Sequence, residues 1–211
     1  MATYSRSAQP IAVDSGSSAI STDGSAQAYS FKDKKNEFEF WAGSSLGLPS
    51  ALGASHDRSF PILIGLRYGR ILLSSRVAAL EYTLDVVPVA VVSEPKDAST
   101  GLSGSPGGRL HVYGAGIVPV GFKLILRPDK RVKPYVAVSS GPFYFTRQVP
   151  VVNSAQFNFF SAADVGLQIF ASPRRAISIG YKIGHLSNAG AGHLNPGFNS
   201  SSIYFGFSVF K

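Results

Sequence analysis

The feature that most constrains this chain is a two-residue alternation of apolar and polar side chains. It recurs in eight segments from about residue 36 onward. Successive side chains of an extended strand point to opposite faces, so this period builds two-faced strands and does not fit an amphipathic helix. In the first segment, Asn36–Gly43, Phe38 and Phe40 alternate with Glu37 and Glu39. The others are Ser59–Leu72, Val77–Val92, Leu110–Leu126, Val132–Thr146, Gln156–Phe170, Ala176–Ser187 and Asn199–Phe210. In the third, Leu80, Tyr82, Leu84 and Val86 oppose Glu81, Thr83 and Asp85. In the sixth, Phe157, Phe159, Val165, Leu167 and Ile169 oppose Asn158, Asp164 and Gln168. Pro88 and Pro119 interrupt two segments; a proline removes a ladder hydrogen bond, so each is expected at a bulge or a strand end.

The connections alternate in character. Those expected after strands one, three, five and seven are long (44–58, 93–109, 147–155 and 188–198). Those after two, four and six are short, at Ser74-Ser75, Pro128-Asp129-Lys130 and Ser172-Pro173-Arg174. Eight strands of about 9–11 residues or more, the first only marginally so, with long loops at one end and tight turns at the other, describe an all-β, eight-stranded antiparallel transmembrane barrel with extracellular loops and periplasmic turns. No run approaches the roughly 18 apolar residues of a transmembrane helix, so a membrane-spanning form must be a closed barrel. Period two alone does not say which face meets lipid. A soluble eight-stranded barrel with its apolar face inward and a ligand inside is the competing architecture.

Composition narrows the choice. Only 15% of residues are charged against 45% hydrophobic, where a soluble domain carries about 25% charged. The net charge of +8 suits an anionic membrane surface. There is no basic run with interleaved aromatics, so nucleic acid is not an expected partner. The absence of cysteine removes disulfides and thiolate chemistry, and no metal-ligand spacing or cofactor motif stands out. Residues 1–34 read as a disordered Ser/Ala/Gly lead before a barrel over 35–211. Ser25-Ala26-Gln27-Ala28 has the small residues of a cleavage site, but Asp14 breaks the apolar stretch at Ile11-Ala12-Val13.

Chemistry concentrates in the last hairpin, in Gly184-His185-Leu186-Ser187-Asn188-Ala189-Gly190 and Asn195-Pro196-Gly197-Phe198-Asn199. Strand parity puts His185 and Ser187 on the face of Ile179 and Ile183, and Asn199 and Ser201 on the face of Phe205 and Phe207. In a membrane barrel that face is the lipid face, where polar groups are costly unless they pair. A His and a Ser beside acyl chains are the parts of an ester hydrolase: imidazole takes the serine proton as the oxygen attacks the carbonyl. Backbone N–H groups near Asn188 and Gly190 are the candidate oxyanion donors. Taken alone, His-x-Ser has little specificity and is more often a pair of interfacial hydrogen-bonding groups. Arg109 and Arg147 are candidate contacts for lipid phosphates, while Lys130, Arg131 and Lys133 are expected to be solvated or to meet headgroups.

His185, Ser187, Asn188, Ala189, Gly190, Asn195 and Gly197 resemble, in order and spacing, the hallmark of the lipid A 3-O-deacylases, grouped with acyloxyacyl hydrolase-like proteins. The likeness extends over about 36–211, and only this motif is specific. It implies an outer-membrane ester hydrolase that removes an acyl chain from lipid A (lipopolysaccharide), without a cofactor. Ser187 would be the nucleophile and His185 the base, on the barrel's outer wall. The family opens its last strand with a glutamate that orients the imidazole; this chain has Asn199 there, which can accept the ring N–H but supplies no charge. No Asp or Glu follows Asp164. A catalytically weak or inactive lipid-binding barrel is the alternative that this departure leaves open.

Overall fold

Beta-branched and aromatic residues recur through the eight segments, and each segment pairs with its neighbours in the chain, as sequential strands commonly do. A computed structural model describes residues 29–32, 35–45, 57–96 and 108–211. Its strands are β1 (Asn36–Ser44), β2 (Ser59–Ser74), β3 (Ala78–Pro95), β4 (Arg109–Leu126), β5 (Val132–Val149), β6 (Ala155–Ser172), β7 (Arg175–Ser187) and β8 (Phe198–Phe210). Each is antiparallel to the next, and β8 returns to β1, giving a closed barrel. Reciprocal backbone bonds between Asn36 and Lys211 (3.0 and 2.9 Å) fasten the seam. Closure pairs every edge, which a strand in hydrocarbon requires.

Both prolines fall where the ladder slips: Pro88 inside the β3–β4 shift between Val87 and Ala90, and Pro119 inside the β4–β5 shift between Gly116 and Val120. One connection differs from expectation. β5 runs on to Val149 and β6 starts at Ala155, so the link 150–154 is no longer than the turn 127–131 at the other end.

The two faces sort as a membrane requires. Phe38, Leu66, Val138, Tyr144, Val165 and Phe205 are among many large apolar side chains that are at least half exposed on the outer wall, far more than a water-soluble monomer leaves open. Glu37, Glu39, Glu81, Asp85, Asp164, Arg67, Lys123 and Lys182 are buried inside. They are paired: Lys123 lies 2.6 Å from Glu37 and 2.7 Å from Glu81, Arg67 lies 2.6 Å from Asp85 and 3.2 Å from Glu39, and Lys182 lies 2.8 Å from Asp164. Pairing offsets the desolvation of each charge. Toward the loop end the filling turns apolar, with Phe60, Phe143, Phe145, Phe160, Leu186 and Phe198. The interior void beside Trp41, Asp85 and Lys182 measures only about 10 Å³, room for roughly one water. Side chains fill an eight-stranded barrel, and this one is a wall around a solid interior.

Two expectations at the turn end change. Lys133 is not solvated; it is fully buried, its Nζ over the rings of Phe31 (3.8 Å) and Phe170 (4.2 Å) and donating to the carbonyls of Tyr29 (2.6 Å) and Pro128. Strand parity points it inward, where carbonyls and aromatic faces replace water. Phe31 belongs to the stretch expected as a free lead, yet it is 2% exposed and packs on Phe170 and Phe210. The rest of the lead, through residue 28, lies outside the described residues.

Candidate active site

β7 and β8 carry the candidate residues to the loop end of the outer wall. His185 stands directly opposite Asn199 in the register. Its Nδ1 donates to Asn199 Oδ1 at 2.6 Å. With Nδ1 carrying the proton, Nε2 is unprotonated, the tautomer a general base needs. His185 is exposed, and Ser187 and Asn199 are half-buried. Inward-pointing Leu186 alternates with them, fully buried. Behind His185, Gly184 leaves room for the ring of Phe160; a Cβ there would stand 2.2 Å from Phe160 Cζ. The polar residues thus face outward because large inward side chains fix the strand's parity.

Ser187 lies two residues along the same face, about 6.6 Å in strand rise. Among the described residues, no hydrogen bond joins it to His185. Gly197 bounds the imidazole on that side: its φ is +56°, and a Cβ would come within 3.0 Å of Cε1 and 3.2 Å of Nε2. Glycine both adopts this backbone and leaves space for the ring.

The link after Ser187 is a tight turn. Ala189 (φ 50°) and Gly190 (φ 85°) are both left-handed, and Ala191 N–H donates to Asn188 O at 2.9 Å. That is the two-residue turn that favours Asn-Gly. Asn188 is fully buried and committed to the loop. Its N–H donates to Asn195 Oδ1 (3.0 Å), its Nδ2 to Leu194 O (2.7 Å), and its Oδ1 accepts from Gly190 N–H (3.0 Å). The N–H groups of Asn188 and Gly190, expected to face an oxyanion, are therefore occupied in shaping the turn. The Ala189 N–H has no partner among the described residues. The roles of Asn188 and Asn195 as turn builders were missed because spacing shows their identity but not their bonds.

The other candidates disperse. Arg109 holds the base of its own loop, donating to Ser93 Oγ (2.7 Å), Ser93 O (2.9 Å) and Asp57 O (2.8 Å). Arg147 is exposed near the end of β5 and, among the described residues, makes no hydrogen bond to the His185–Asn199 pair, which lies on β7 and β8. Asp164, the last acid of the sequence, is inside the barrel and paired with Lys182, so it does not reach the outer wall.

A family model described as lipid A 3-O-deacylase (PagL) matches residues 80–208. The chain belongs to the lipid A 3-O-deacylase (PagL) family. The match runs from β3 almost to the end of β8 and so includes the His185 hairpin. Among solved structures, the outer membrane enzyme PagL is similar at 15% identity and a TM-score of 0.49, over 81% of this chain and 97% of that one. OprG from Pseudomonas aeruginosa is similar at 11% and 0.47, over 84% and 97%. Neisserial surface protein A is similar at 14% and 0.44, over 82% and 94%. Comparison with curated proteins gives no match. PagL-family membership and the exposed apolar wall place the barrel in the bacterial outer membrane, with the long connections outside and the tight turns toward the periplasm.

Proposed function

We propose that this PagL-family barrel hydrolyses an ester-linked acyl chain of lipid A at the outer wall of β7 and β8. The observation that carries the reading is the His185 Nδ1–Asn199 Oδ1 bond, which holds an imidazole on the lipid-facing side two residues from Ser187. In this mechanism the Ser187 hydroxyl proton passes to His185 Nε2 as Oγ attacks the ester carbonyl carbon. The alkoxide that leaves takes that proton back from His185. Water, deprotonated by the same nitrogen, then releases the fatty acid from Ser187. Approach of substrate closes the gap between Ser187 and His185, since catalytic hydrogen bonds are often long before substrate binds. The turn 188–190 supports the developing oxyanion, with the Ala189 N–H as its uncommitted donor.

Asn199 favours a second reading, a barrel that binds lipid A with little turnover. An amide orients the ring but does not stabilise its charged form, and in a serine protease triad Asp→Asn lowers the rate about 10⁴-fold. One experiment separates the two. Lipid A from cells exporting the barrel is weighed by mass spectrometry. Turnover predicts loss of one acyl chain, absent with His185→Ala. An unchanged spectrum from correctly folded protein overturns the hydrolase reading. Gain of deacylation with Asn199→Glu would then identify the missing charge as the cause.

A further inference from the structure

The outer wall carries a polar row wider than the hairpin. Ser140 on β5 is paired in register with Ser161 on β6, Ser161 with His185, and His185 with Asn199. All four lie on the outward parity of their strands, and the row is bonded at both ends: Ser140 Oγ to Ser161 Oγ at 2.8 Å, and His185 to Asn199 at 2.6 Å. The rung beneath runs Val138, Ala163, Ile183, Ser201, and the rung above holds Pro142, Phe159 and Ser187. Val138 is 57% exposed and Tyr144, further toward the loops, 59%. The serine pair therefore sits inside the apolar wall rather than at its rim.

Two hydroxyls facing hydrocarbon are expensive unless satisfied. One O–H satisfies the other serine; the second hydroxyl hydrogen has no acceptor among the described residues. No Lys, Arg, Asp or Glu stands on these three rungs between β5 and β8, so the row suits a neutral polar group and not a phosphate. Its position indicates which. An acyl chain whose carbonyl is at Ser187 and which runs into the bilayer passes the Ser161 rung about 6.6 Å further down. Ser161 is also one strand over, about 4.8 Å, so it stands about 8 Å from Ser187, and a hydrogen bond spans about 2.8 Å of that. The partner thus belongs on one of the first few carbons beyond the carbonyl.

We propose that Ser140 and Ser161 form a subsite that recognises a hydroxyl carried by the acyl chain near its ester carbonyl. The inference takes from the hydrolase reading only the placement of the carbonyl at Ser187. One serine accepts from the chain hydroxyl and the other donates to it, so a chain lacking that hydroxyl leaves the pair unsatisfied and binds less well.

The test reads binding without turnover. The full chain carrying Ser187→Ala, folded in detergent, is offered equal amounts of a 3-hydroxytetradecanoyl and a tetradecanoyl ester of glucosamine, and bound species are counted by native mass spectrometry. The expected preference for the hydroxylated ester is about fivefold, the yield of one added neutral hydrogen bond. Adding Ser161→Ala or Ser140→Ala brings the ratio to about one with the plain ester bound as before, and Ser161→Thr retains the preference. Equal retention of the two esters by the parent, or a preference untouched by both alanine variants, overturns the subsite. The ratio stands whether or not lipid A is cleaved, so failure of the hydrolase reading and failure of the subsite are separate results.

Discussion

At the scale of single residues, the candidate site depends on small groups that let the imidazole stand where it does. Gly197 combines a left-handed φ with a close approach to Cε1 and Nε2. Gly197→Ala adds about 1 kcal/mol of backbone strain and pushes the ring off Asn199. Its expected signature is at least a tenfold loss of lipid A deacylation with unchanged heat-modifiable gel mobility. Equal activity would mean that the ring has another place to go. His185, Ser187 and the departure at Asn199 were legible in the sequence, because a motif fixes residue type and spacing. The bond between His185 and Asn199, and the lack of one to Ser187, were not: they depend on side-chain angles set by neighbours on other strands.

At the scale of elements, the β7–β8 hairpin is held open by a turn that uses an alanine where glycine or asparagine is easier. Ala189 at φ 50° carries strain of about 1 kcal/mol relative to glycine. Ala189→Gly should therefore stabilise the barrel by about that amount, seen as a higher urea midpoint in detergent. If the same variant lowers activity, the strained turn serves the site; a destabilised barrel would show that the alanine methyl packs usefully. The ends of the strands were readable to within three residues, since turn residues and parity breaks mark them. The last three residues of β5 were the hardest to read, because the ladder slips after Tyr144 and only Val149 rejoins β6, opposite Ala155, with no alternating apolar pattern to announce it.

At the scale of the whole molecule, the distribution of charge is inverted relative to a water-soluble protein: ion pairs inside, hydrocarbon outside. Val165, mid-way along β6 and 55% exposed, should behave as a lipid-facing residue. Val165→Arg is expected to cost about 2–4 kcal/mol of stability in bilayers, measured by reversible unfolding from vesicles. A neutral outcome would argue for a solvated wall. The turn end is closed by Phe31 against Phe170, Phe210 and Lys133. Phe31→Ala removes a fully packed ring and leaves Lys133 partly bare. The expected loss is about 3 kcal/mol in the same unfolding assay, with deacylation at the far end unchanged.

The sequence by itself determined eight two-faced strands, their order, the parity of His185, Ser187 and Asn199, and the family hairpin. All of these follow from local periodicity and spacing, which a linear chain carries openly. Only the tertiary structure decided which face meets lipid, that Lys133 and Phe31 plug one end, that the Asn188 and Gly190 amides are already used, and that Ser140 and Ser161 extend the row of His185. Most of these join segments far apart in sequence, as Phe31 and Phe210 are; the Asn188 and Gly190 bonds are local but depend on side-chain angles that spacing does not carry. Alternation says that a residue lies on a face; the closed register says beside whom.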